Sequence, residues 1–214
     1  KQESLGANIG SGAGIDGANA SLSAIKEKLD PSVALFAEML NKPRFDAKEI
    51  ERVRAQWLAT IKQEKIRPNA ASTRILPTLM YGEGHPYAIP FSGTGTEADI
   101  AALTREDLIA YQNAYLRPEG ATLVIVGDTS LAEIVPLLEK HLGQWQGQGA
   151  KPAKPAVAAV ALPNKPRVFL IDQPGSVQAN IFVGQLVPSS MNDKATEFEI
   201  ANAVLGGEFS SRLN

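Results

Sequence analysis

The 214-residue chain carries 21 Lys+Arg against 23 Asp+Glu, a formal net charge of -2, 44% apolar residues and no cysteine. That composition is globular, excludes collagen-like and disordered chains, and leaves no disulfide, thiolate nucleophile or cysteine-containing metal site. The near-balanced charge has no basic block to grip nucleic acid, and no apolar run reaches the ~20 residues that span a bilayer.

Lys1 is neither an initiator Met nor the start of a signal peptide, so the chain reads as a piece of something longer. The run from Ser210 to Asn214 supports that expectation, because it stops without a closing element. Without cysteine, periplasm and cytosol are both permitted.

From Glu3 to Ile25 small and apolar residues alternate around a Gly-rich centre, which predicts two strands joined by a turn. Gly12-Ala13-Gly14-Ile15-Asp16-Gly17 fits G-x-G-x-x-G literally, yet a dinucleotide site needs a helix to follow, and Asn19 to Ile25 has a strand period. The turn is the better reading. Asp30 before Pro31 predicts an N-cap, with Val33, Phe36 and Leu40 inward until Pro43.

Asp46 and Glu49 form a capping-box pattern ahead of Ile50, Val53, Trp57 and Ile61, spaced as one helix face. Pro68 can open another helix, which Pro77 should kink or end early. A breaker-rich loop, Gly82 to Pro90, precedes a second capping pattern at Thr104 and Asp107, with Leu108, Tyr111 and Tyr115 inward. Ala121 to Val126 reads as a buried central strand. Ser130 with Glu133 caps a helix that turns Leu131, Val135, Leu138 and Leu142 inward, its first turns distorted by Pro136.

Between Gln146 and Pro166 the prolines 152, 155, 163 and 166 alternate with Ala, Gly and Lys, a linker composition. Strands follow at Val168–Asp172 and Ala179–Leu186, then a helix from about Asp193 to Leu205.

No self-sufficient active site emerges from these residues. His85 lies in a Pro/Gly loop and His141 at a helix end, so neither spacing nor element joins them in a metal site; they read as a loop histidine and a cation at a helix C-terminus. No G-x-S-x-G elbow or Walker sequence occurs. Glu49 with Glu51, and Glu197 with Glu199, stand at i,i+2 and face different sides of a helix, as solvated carboxylates do.

The order of short motifs is more informative. Lys42-Pro43-Arg44-Phe45-Asp46 is followed by Tyr81-Gly82-x-x-His85-Pro86-Tyr87, Gly93-Thr94, Leu103-Thr104-x-x-Asp107-Leu108, Tyr115-Leu116-Arg117-Pro118, Val126-Gly127-Asp128 and Leu142-Gly143-x-Trp145. Ile171-Asp172-x-Pro174-Gly175-x-x-Gln178 and Leu205-Gly206-Gly207-x-x-Ser210-x-Arg212-Leu213 complete the series. In this order they resemble the insulinase-like zinc metallopeptidases, the family of pitrilysin, the mitochondrial processing peptidase and bacterial zinc proteases.

The resemblance implies an α+β fold of two homologous modules, each an antiparallel-rich mixed sheet with helices packed on it. Residues 1–145 would be the latter part of one module, 146–166 a Pro/Ala-rich linker, and 167–214 the opening of the second. It also implies peptide-bond hydrolysis in the whole protein, at a zinc held by an H-x-x-E-H helix that would lie before Lys1 and by a Glu on a later helix. Alignment puts that Glu at Thr60, whose neutral hydroxyl cannot replace an anionic ligand; a register slip would make it Glu64 instead.

The chain therefore resembles the non-catalytic half, expected to bind no zinc itself and to work beside a catalytic module or subunit on an unfolded peptide. By the same resemblance Gly206, Gly207, Ser210 and Arg212 would guide the peptide, and a periplasmic location is favoured. The alternatives are a helix C-terminus with Gly206 as its cap, and an inactive homologue acting as a structural, peptide-binding or assembly subunit. Incomplete modules would expose sheet edges and apolar faces, so self-association is expected.

Overall fold

Small residues set the first element of the computed structural model, which describes residues 1–154 and 156–213. Pro155 of the Pro/Ala-rich stretch and Asn214 of the terminal run lie outside the described residues. Strands β1 (Asn8–Ala13) and β2 (Ala18–Ser23) pair antiparallel, from Asn8 opposite Ser23 to Ala13 opposite Ala18. The Gly14 N–H closes the turn on the Gly17 carbonyl at 2.8 Å, and a strand follows, so the G-x-G-x-x-G match is a hairpin turn.

Helix α1 (Leu29–Asn41) begins one residue before the predicted cap, so Asp30 falls inside its first turn. Val33, Phe36 and Ala37 of α1 are buried, as is Ile134 of α6 (Leu131–Leu142), and this pair of helices holds most of the core. The stripe of α6 is rotated from the predicted one: Ile134 is buried while Leu131 is 79% exposed. Glu133 does reach back to the Ser130 N–H at 3.2 Å, as the capping pattern requires.

Helix α2 (Ala47–Ile66) is capped by Asp46, whose carboxylate accepts from the Lys48 and Glu49 N–H groups. The reciprocal half of the box is replaced by an ion pair of Glu49 with Arg52, and Glu51 pairs with Arg54 one turn on. Ile61 is fully buried, whereas Val53 and Trp57 are 43% and 42% exposed, so the apolar face of α2 is covered only in part.

Helix α3 (Pro68–Tyr81) runs through Pro77 without ending, contrary to the predicted early stop. Proline removes the N–H that would bind the Thr73 carbonyl, and the Phe91 N–H takes that acceptor instead at 3.4 Å. Short α4 (Glu97–Ala102) starts at Thr96, and α5 (Arg105–Tyr115) at a complete Thr104/Asp107 capping box. Tyr111 and Tyr115, expected inward, are 52% and 56% exposed and stack on each other at 5.0 Å.

The predicted strands at 121–126, 168–172 and 179–186 join no sheet among the described residues; the sheet there is the β1–β2 hairpin. A strand is defined by the neighbour that takes its N–H and C=O groups, and among the described residues these segments have none. Their exposure nevertheless alternates with period two: 51%, 96% and 45% at Phe169, Leu170 and Ile171, and 86%, 41% and 91% at Ile181, Phe182 and Val183. They are extended segments half covered on one face and open on the other.

Helix α7 (Ala195–Asn202) lies inside the helix predicted near the end and continues into a π-turn, Ala203–Gly207. No helix among the described residues is long and apolar enough to cross a membrane.

Candidate functional site

The Gly-rich turn after α7 holds the four residues expected to guide a peptide. The Arg212 N–H bonds the Val204 carbonyl at 3.1 Å and the Leu213 N–H the Leu205 carbonyl at 3.0 Å, folding the chain back on the π-turn. Close approach explains the glycines: a Cβ on Gly207 would lie 3.1 Å from the Asn202 carbonyl oxygen, and one on Gly206 3.2 Å from Leu213 Cδ1. Neither has positive φ, so Gly206 is not a left-handed helix cap. Ser210 and Arg212 are exposed, and the Arg212 guanidinium has no ion pair or hydrogen bond among the described residues, while Ser211 between them is buried. The turn thus presents a free cation and a hydroxyl beside a backbone bare of side chains.

On α2, Thr60 is exposed and its hydroxyl bonds back to the Gln56 carbonyl at 3.1 Å. Glu64, one turn on, is turned inward instead. Its Oε2 accepts from Arg74 Nη1 of α3, from Thr94 Oγ1 at 2.8 Å and from Ser92 Oγ at 3.2 Å. Burial opposes its ionisation, but the hydrogen bonds from Thr94, Arg74 and Ser92 outweigh burial and hold the carboxyl below its usual range. Arg74 Nη2 also donates to the Gly95 carbonyl at 2.6 Å, and Trp57 Nε1 to the Thr94 carbonyl at 2.9 Å.

The histidines are likewise engaged, in separate places. His85 Nδ1 accepts from the Tyr87 N–H at 3.1 Å, so Nε2 carries the proton and donates to the Ala158 carbonyl at 3.0 Å. Its ring stacks on Tyr81 at 5.1 Å, and the Tyr87 hydroxyl donates to Asp16 at the hairpin tip at 2.7 Å. His141 Nε2 lies 2.5 Å from Asp30 Oδ1, with Lys140 Nζ 2.9 Å from Oδ2. The helix-end cation predicted at His141 is thus answered by a carboxylate of α1.

No group of three or more His, Asp and Glu side chains converges among the described residues. A zinc centre does not fit here, because the Glu64 carboxylate is taken by Arg74 and two hydroxyls and both nitrogens of His85 are bonded. Sequence reasoning missed the Glu64–Arg74 network and the buried Arg117. The available signal was an Arg inside an otherwise apolar or small helical stretch, Ala70 to Met80, where only a partner makes a charge tolerable.

Asp30 yields a pH-dependent expectation. The hydrogen bond with His141, then that from Lys140, holds its carboxyl below the usual value, so its contribution to stability is full above about pH 4 and lost as pH falls through the depressed value. Asp30→Asn should therefore lower the thermal midpoint modestly at neutral pH, with the two melting curves converging in acid. A gap that persists in acid would show that the carboxylate's charge is not what joins α1 to α6.

Comparison with known proteins agrees with this geometry. A family profile described as the peptidase M16 inactive domain matches residues 102–214. The probable mitochondrial-processing peptidase subunit beta of Schizosaccharomyces pombe is 30% identical over 125 residues, 58% of this chain and 26% of that one. The crystal structure of a peptidase M16 inactive domain from Pseudomonas fluorescens superposes with a TM-score of 0.66 at 30% identity, over 75% of this chain and 38% of its own. The periplasmic protease PqqL from Escherichia coli, at 18% identity, shares the fold with a TM-score of 0.59 over 74% of this chain and 18% of its own. The chain spans well under half the length of each of these relatives. With more than half of its residues inside the inactive-domain profile and the fold of such a domain, the chain belongs to the insulinase-like M16 peptidase family, in its non-catalytic half.

Proposed function

We propose that this chain supplies chamber wall and peptide guidance to an M16 zinc peptidase and contributes no metal ligand. The observation that carries the reading is Thr60, an exposed neutral hydroxyl bonded to its own helix where the family resemblance puts a ligand carboxylate. Zinc and the H-x-x-E-H helix then belong to a catalytic module or subunit of the same family, and the substrate is an unfolded peptide. Residues 1–145 and 167–214 act as parts of two modules joined by 146–166. In the second, Gly206 and Gly207 let a peptide approach the backbone, and Ser210 and Arg212 offer donors to its carbonyls. A periplasmic location is supported by the Escherichia coli neighbour, a periplasmic protease. A second reading, an inactive homologue serving as an assembly subunit, draws support from the S. pombe relative, itself described as a subunit.

Elemental analysis after equilibration with zinc and removal of loosely bound metal tests the leading reading. This chain should carry no stoichiometric zinc, whereas the assembled protein that hydrolyses peptide should carry about one per catalytic site. Stoichiometric zinc in this chain alone would overturn the assignment of Thr60. Zinc-free assembled protein would leave the assembly-subunit reading.

A further inference from the structure

We propose that Asp16-Gly17, at the tip of the β1–β2 hairpin, is a site of spontaneous covalent modification at which aspartate converts to isoaspartate, and that the Tyr87 hydroxyl restrains the conversion. Asp-Gly occurs once in the sequence and Asn-Gly not at all, and every other aspartate is followed by a residue that carries a side chain. The chemistry therefore has a single preferred place.

The Gly17 nitrogen attacks Asp16 Cγ, the new N–C bond closes a five-membered imide ring, and the Cγ–O bond breaks with loss of water. Water then adds back at one of the two ring carbonyls. Opening at Cγ restores aspartate. Opening at the main-chain carbonyl leaves the chain running through Cβ and Cγ, with the former backbone carbonyl as the free carboxylate. The sum is an isomerisation, and no oxidant, reductant or cofactor enters it.

The hairpin tip meets each requirement of that reaction. Asp16 and Gly17 are exposed and lie between the strands, where the chain is least constrained. The Gly17 N–H makes no hydrogen bond among the described residues, whereas the Gly17 carbonyl accepts from the Gly14 N–H. Glycine leaves the attacking nitrogen without a Cβ beside it, and a Cβ built there would meet nothing within 4 Å, so the ring has room to close.

Tyr87 acts on the site from outside the hairpin. Its hydroxyl donates to Asp16 Oδ1 at 2.7 Å, and its ring meets Tyr81 edge-on at 5.7 Å. Ring closure must turn the carboxyl group toward the Gly17 nitrogen, and the hydrogen bond to Tyr87 resists that rotation. Conversion in turn undoes the contact. Isoaspartate carries its carboxylate directly on Cα and adds a methylene to the main chain between Gly14 and Gly17. The hairpin then loses both its turn hydrogen bond and a link to the His85 loop. Where the zinc lies has no bearing on this chemistry.

Incubation of the whole chain at neutral pH, followed by peptide mapping, tests the assignment. Protein-isoaspartate methyltransferase with a radiolabelled methyl donor should label the fragment holding Asp16 increasingly with age, and incubation in heavy-oxygen water should add a heavy atom to the same fragment. Gly17 has no positive φ and open space around it, so Gly17→Ala should fold as the parent does. It should label about tenfold more slowly, because a Cβ crowds the attacking nitrogen. Asp16→Glu, which would need a six-membered ring, should abolish labelling. Tyr87→Phe should label about fivefold faster, the ratio that one hydrogen bond is worth. Hydrogen exchange at the Gly14 N–H should quicken in the aged chain as the turn opens. Absence of label on the Asp16 fragment, label undiminished by Gly17→Ala, or a Tyr87→Phe rate no faster than the parent's would each overturn the assignment.

Discussion

Arg74→Met is expected to lower the free energy of unfolding by about 3 kcal/mol, the scale of a buried ion pair broken from one side. The side chains of Arg74 and Glu64 are 9% and 15% exposed, so solvent does little to screen the pair or to rescue a stranded carboxylate. The substitution also removes the donors to Thr94 Oγ1 and the Gly95 carbonyl, which fasten the 92–95 loop to α2 and α3. Glu64→Gln keeps an acceptor for the two hydroxyls and should cost less. The double replacement Arg74→Met with Glu64→Leu should cost less than the sum of the single changes, because no charge is then left without a partner. The carboxyl is held below its usual range, so the stabilisation is present above about pH 4.5 and disappears as pH falls through the depressed value. Urea titrations, which leave ionic strength unchanged, should therefore separate parent and Arg74→Met at pH 7 and bring them together in acid. A difference within about 0.5 kcal/mol at neutral pH would reduce this network to surface decoration.

The second large effect concerns association. The isolated chain should self-associate as its concentration rises, and Val126→Lys, Leu170→Lys and Val183→Lys together should return it toward the monomer. Those side chains are 93%, 96% and 91% exposed, so replacing them removes almost no native contact and should change stability by no more than about 0.5 kcal/mol. What they remove is apolar surface beside backbone groups that have no ladder partner, the combination that makes an open strand adhesive. Lysine on such an edge adds a desolvation cost to every wrong pairing. Light scattering across a concentration series decides the matter, and a parent chain that stays monomeric throughout would count against open edges as the cause of association.

Local chemistry was readable in the sequence and tertiary pairing was not. Asp46, Thr104 and Ser130 announced helix starts because a cap is decided within four residues, and Gly14 to Gly17 announced a hairpin for the same reason. The continuous apolar run Ala121 to Val126 announced a buried central strand, yet it joins no sheet among the described residues and Leu123 to Val126 are 43–93% exposed, since a ladder depends on a neighbour distant in sequence. Tyr111 and Tyr115 share a helix face as predicted, yet they stack outward on each other, because helical spacing does not say which stripe meets the core. Asp30 was read as a cap and serves as the anchor for Lys140 and His141, residues more than a hundred positions away. At the candidate site the four residues proposed to guide a peptide were named by resemblance alone. The packing that requires glycine at 206 and 207 became visible only once Leu213 and Asn202 were placed around them.

Pro77 shows how a local defect becomes an instruction. The acceptor that it frees on Thr73 is taken by Phe91, so the missing rung of α3 fixes the point at which the loop after the helix must return. A better helix former at 77 would supply its own N–H to that carbonyl and compete with the loop for it. Helix propensity and loop placement are thus opposed at this one residue, and a stabilising change judged on α3 alone would loosen the Ser92–Gly95 segment that Glu64 and Arg74 hold.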